Sequence, residues 1–111
     1  MIITRTPFRI SFAGGGTDLR AFYSKESGKV ISSSINNFIY VVVKRQIGIV
    51  EHKYRVNWSK VEFCNEIENI EHPIVREALK KFNIDFPIEI TTFTEIPGQT
   101  GLGSSSAFAV G

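Results

Sequence analysis

The sequence predicts an α+β domain: a mixed, mostly antiparallel sheet with helices packed on one face. Three observations carry this. Short runs alternate apolar and polar residues, two segments repeat apolar residues at helical spacing, and a glycine-rich stretch joins the last strand-like run to an apolar helix.

Ile2 to Thr6 reads as a strand or strand edge, because Pro7 drives Thr6 away from helical geometry. Arg9-Ile10-Ser11-Phe12 alternates and predicts a second strand, ending at Gly14-Gly15-Gly16. Thr17 or Asp18 can cap a helix whose Leu19, Phe22 and Tyr23 share one side, with Gly28 closing the segment. Val30-Ile31 with Ile35, then Phe38 to Val43, are two β-rich runs split by Asn36-Asn37, which predicts a hairpin or tight bend. Lys44 to Lys53 is a polar connection around Gly48. Tyr54, Val56 and Trp58 then alternate with polar residues, and Val61 and Phe63 continue the period as a meander with one wet face.

The acidic run from Glu66 to Glu71 reads as complementing a helix dipole rather than binding metal. Pro73 suits a first helical turn, and Ile74, Val75, Ala78, Leu79 and Phe82 form one apolar face. Phe86, Ile88 and Ile90 alternate in a last strand that delivers the chain to Glu95-Ile96-Pro97.

Composition limits the function. A chain of 111 residues suits one domain, and 42% hydrophobic with 22% charged residues is an ordinary folded composition. Thirteen basic against eleven acidic residues are balanced and scattered, which argues against a nucleic-acid partner. The one cysteine, Cys64, reads as an inert position at a strand end, and His52 has no partner at ligand spacing. Phe38 to Val43 is too short an apolar run to span a bilayer, and the N-terminus lacks a signal-peptide core, so a cytoplasmic protein without membrane partners is expected.

The chemistry concentrates in Pro97-Gly98-Gln99-Thr100-Gly101-Leu102-Gly103-Ser104-Ser105-Ser106-Ala107. Its glycines allow successive amides to turn inward around an anion, and a serine can cap the helix opened by Ala107-Phe108-Ala109-Val110. A nucleotide P-loop would need a lysine where Ser104 stands, and a dinucleotide fingerprint would need a glycine at Ser106. A nucleophile elbow is only approximated by Gly103 to Ala107, which leaves a serine hydrolase using Ser105 with His52 or His72 as one alternative. A non-catalytic binding or interaction domain is another.

Pro97, Gly101-Leu102-Gly103-Ser104-Ser105 and Ala107 resemble the phosphate motif of the GHMP kinase family, named after galactokinase, homoserine kinase, mevalonate kinase and phosphomevalonate kinase. A second stretch, Arg5-Thr6-Pro7-Phe8-Arg9-Ile10-Ser11-Phe12-Ala13-Gly14-Gly15-Gly16-Thr17-Asp18, resembles the substrate motif of its sugar-kinase branch, above all the heptose-phosphate and fucokinase-like members. His72-Pro73-Ile74-Val75-Arg76-Glu77-Ala78-Leu79 is similar to the same branch.

The resemblance implies an N-terminal kinase domain over residues 1–111, akin to domain two of a small-subunit ribosomal protein. It implies transfer of the ATP γ-phosphoryl group to a hydroxyl of a sugar or sugar phosphate, such as a heptose 7-phosphate. Pro97, Gly98, Gly101, Leu102, Gly103, Ser104, Ser105 and Ser106 would hold the nucleotide, with Asn36 and Tyr40 on its adenosine side and Ser105 on Mg2+. Arg9, Gly14, Gly15, Gly16, Thr17 and Asp18 would face the sugar. The sequence stops at Gly111 inside the helix that the phosphate motif opens, so a truncated domain with little activity alone is expected, its base carboxylate lying beyond Gly111. Apolar surface left uncovered there points to a homodimer or other self-association.

Overall fold

The structure is a computed structural model that describes residues 1–96 and 101–111. Five strands form one sheet: β1 (Ile2–Ala13), β2 (Ile31–Arg45), β3 (Tyr54–Asn57), β4 (Val61–Cys64) and β5 (Ile88–Thr94). Their spatial order is β1-β2-β5-β3-β4, antiparallel throughout except for the parallel pair β3 and β5. The expected mixed, mostly antiparallel sheet is the one observed.

Two helices cover one face: α2 (Pro73–Lys81) and α3 (Ser104–Val110). The period-two rule puts Ile39 and Val41 of β2, Tyr54 and Val56 of β3, and Ile88 and Ile90 of β5 on that face, and all six are buried. Val75 and Leu79 of α2 close the main core over them, and Phe108 of α3 packs at its edge. A smaller cluster of Phe8, Ile39 and Ala107 ties α3 to β1 and β2. The other face stays open. Phe93 is 57% exposed, the Arg5 guanidinium lies 3.6 Å over the Phe38 ring, and Arg55 pairs with Glu89.

Two expected breaks are absent. Pro7 does not split β1. It pairs with Phe38, so the two strands predicted before Gly14 form one twelve-residue strand on the sheet edge, where a missing N–H is tolerated. Asn36-Asn37 is not a hairpin either. Pro7 pairs with Phe38 and Arg9 with Ser34, so Phe8 alone faces Ile35, Asn36 and Asn37, a bulge within a continuous β2. The fully buried Phe8 side chain fixes that irregularity to the core.

The helix expected after the triple glycine is a 3-10 turn, Gly15–Asp18, followed by α1 (Arg20–Tyr23), a single turn. Neither Thr17 nor Asp18 caps it, and Leu19, Phe22 and Tyr23 are exposed. Four residues offer too little apolar face to bury. Cys64 ends β4 as expected, and burial raises its thiol pKa. His52 is half-buried, its ring 5.3 Å from that of Phe63.

Candidate functional site

Two glycine-rich segments flank β1. In the first, Gly14 sits at φ 82, and a Cβ there would lie 1.9 Å from the Lys29 carbonyl oxygen, so only glycine fits. The Thr17 hydroxyl donates to the Gly14 carbonyl oxygen at 2.7 Å, with the Lys29 carbonyl at 3.2 Å as its other acceptor in reach. Gly28 is part of the same crossing, since a Cβ on it would meet Thr17 at 2.9 Å. Thr17 is therefore a latch between the loop and residues 28–29. Gly15, Gly16 and Asp18 remain exposed, and Asp18 makes no ion pair among the described residues. Beneath Gly15 the Ser11 Oγ is buried without a hydrogen-bond partner.

The second segment, Gly101 to Ser106, lies against the free edge of β1. The Arg9 amide donates to the Leu102 carbonyl oxygen at 3.2 Å, and the Arg9 guanidinium reaches the Gly101 carbonyl at 3.5 Å. Arg9 thus adjoins this loop. Gly14 is five residues further along, about 15 Å away at strand rise. Pro97 and Gly98 lie outside the described residues.

Helix α3 is capped by Gly103 at φ 75 and not by a serine. Glycine adopts this left-handed conformation freely, and no side-chain cap is formed. The first α3 amide to bond back is that of Ala107, to the Gly103 carbonyl at 2.9 Å. The Ser104, Ser105 and Ser106 amides precede it and have no intrahelical acceptor.

Beside those serines opens a cavity of about 380 Å³, in the size range of small-molecule sites. Ser104, Ser105, Ile39, Trp58, His72 and Phe108 contribute to its walls. The His72 ring stands 4.8 Å from Trp58 at 87° and 4.8 Å from Phe108. Glu62, buried below, accepts from the Trp58 indole at 2.5 Å and from the Glu71 amide at 2.6 Å, which fixes the indole. His72 Nδ1 accepts the Val75 amide at 3.3 Å as the cap of α2. Burial lowers its pKa, against the opposing pull of Glu62.

This wall was not legible as a site. Trp58 reads as one more alternating strand residue, and nothing in the spacing of residues 58, 72 and 104 announces that they meet. Tyr40, conversely, alternates with buried Ile39 and Val41 and so lies on the open face, away from the cavity; Asn36 is exposed in the bulge. The structure does not bring either beside Ser104 to Ser106. The arrangement also weakens the hydrolase alternative. A neutral His72 whose Nδ1 accepts a backbone proton carries its own proton on Nε2, the wrong state for deprotonating a serine.

Residues 69–111 match the GHMP kinases N terminal domain. The chain is 30% identical, over 99% of its length, to a D-glycero-alpha-D-manno-heptose 7-phosphate kinase of Campylobacter jejuni. The chain is similar to GHMP kinases. It spans 35% of that relative. Among solved structures, its fold is similar to that of a heptose 1-phosphate kinase from Bacteriodes thetaiotaomicron, with a TM-score of 0.78 and 18% identity, covering 99% of this chain and 39% of the other. It is also similar to the Methanococcus jannaschii mevalonate kinase, with a TM-score of 0.68 and 22% identity, covering 99% and 37%. No helix among the described residues is long and apolar enough to cross a membrane.

Proposed function

We propose that this chain is part of a GHMP kinase and binds ATP and a sugar phosphate, a heptose phosphate or related hexose, for transfer of the γ-phosphoryl group to a sugar hydroxyl. The observation that carries the reading is the run of amides at Ser104 to Ser106, without a hydrogen-bond acceptor among the described residues, beside an aromatic-walled cavity. Amides at a helix start suit phosphate oxygens, and a flat apolar wall suits a base. The base would lie against Trp58 and His72, and the phosphates would run along Gly101 to Ser106. Arg9 would add positive charge at that end rather than at the sugar.

Ser105 has an exposed hydroxyl beside these amides and fits one ligand position of Mg2+, which keeps several waters and takes phosphate oxygens. Bound there, the ion would screen the phosphates. Gly15, Gly16 and Asp18 would meet the sugar, with Asp18 accepting from its hydroxyls. Thr17 would serve by holding that loop. Residues 1–111 form one nucleotide- and sugar-binding unit in this reading, with binding rather than turnover as the activity of the chain alone.

Calorimetric titration with Mg-ATP tests this. Saturable binding, weakened in Ser105→Ala, is expected. A flat titration would favour an interaction domain that binds no nucleotide.

A further inference from the structure

Resting on the nucleotide reading above, we infer that His72 reads the base, donating its Nε2–H to a ring acceptor nitrogen while its imidazole forms part of the cavity wall. The argument starts at the other nitrogen. Nδ1 is committed to the Val75 amide, so it must be unprotonated, and the single proton of the neutral ring is on Nε2. Among the described residues Nε2 has no hydrogen-bond partner. Among the described residues the one fully buried side-chain atom left unpartnered is Ser11 Oγ; Nε2 is not such an atom, and its residue lines the cavity.

The surroundings hold this state. Trp58 and Phe108 pack on the ring and disfavour a second proton. Of the charged groups nearby, Glu62 of β4 is engaged by Trp58 and Glu71, Lys60 pairs with Glu71, and Arg76 of α2 turns to the Ile70 carbonyl. Helix α3 brings none between Ser104 and Val110. A fixed donor in an apolar wall discriminates strongly, because a ligand lacking the acceptor leaves the N–H unpaired.

Trp58 is the only tryptophan of the chain, so its emission reports on the cavity. The 111-residue chain would be titrated with Mg-ATP, with inorganic tripolyphosphate, and with the 1-, 3- and 7-deaza analogues of ATP, in which one ring nitrogen is replaced by CH. We expect ATP to perturb Trp58 emission and one deaza analogue to bind about tenfold more weakly. In His72→Phe, ATP should weaken by a similar factor and that discrimination should vanish. His72→Asn keeps an acceptor for Val75 and answers the question if the phenylalanine variant is unfolded by circular dichroism.

Equal binding of all analogues, or discrimination that survives in the variant, would overturn the role of His72 alone, provided ATP still outbinds tripolyphosphate and perturbs Trp58. Tripolyphosphate binding as tightly as ATP with Trp58 unmoved would remove the base cavity itself, and His72 with it.

Discussion

The two glycine segments beside β1 look alike in sequence and are held by different means. Gly14 to Asp18 is locked from within: the Gly14 backbone meets the Lys29 carbonyl, and the Thr17 hydroxyl bonds across the crossing. Gly101 to Ser106 is braced from outside, by the Arg9 amide and side chain, with Gly103 turning the chain into α3. The first is rigid backbone against backbone; the second leans on the flexible end of an arginine. A loop of the first kind fixes the position of a ligand, and one of the second kind can follow it.

Breaking the crossing should have the largest effect. Gly14→Ala forces a Cβ to within 1.9 Å of a carbonyl oxygen at a left-handed φ, and neither partner can give. We expect a loss of about 3 kcal/mol or more in urea unfolding, from clash and backbone strain together. Gly103→Ala should cost about 1 kcal/mol, because its Cβ would meet the Arg9 side chain at 3.3 Å and that chain can move. Its signature would be coupling, with Arg9→Ala relieving part of the defect in a double-mutant cycle. Additive behaviour would mean that Arg9 does not brace the loop.

Thr17→Val removes the latch while keeping the shape. A destabilisation of about 1 kcal/mol with unchanged Mg-ATP affinity is expected, since the hydroxyl serves the first loop only. The smallest effect is that of pH. The pKa of His72 is lowered on folding from its usual 6.5, so the unfolded chain binds its proton more readily. The stability contribution is complete above 6.5 and is lost as pH falls through the folded pKa. Urea midpoints measured downward from neutral pH should show this slope, and His72→Asn should flatten it.

These contrasts also show what a sequence can disclose. Both glycine segments were legible as tight turns because their glycines stand in nearly consecutive letters, and the strands were legible wherever alternation was clean. Asn36-Asn37 misled because turn-forming residues also suit a bulge, and the decision belongs to Phe8 on the neighbouring strand. The three serines misled as caps because Gly103 takes the cap position through its backbone alone. The wall of Trp58 and His72 was hidden since only the packing of α2 and α3 over the sheet assembles it.

The place of β5 bears on how such a molecule acquires its shape. It is the last strand in sequence yet lies between β2 and β3, pairing Ile39 with Thr94 on one side and Tyr54 with Ile88 on the other. The pair β1–β2 and the pair β3–β4 can each zip up early, but they remain separate ribbons until this distant segment threads between them, a slow search by its sequence separation. Since the segment from Gly101 to Ser106 follows β5 in the chain and rests on Arg9 of β1, it too can reach its place only when the sheet is finished.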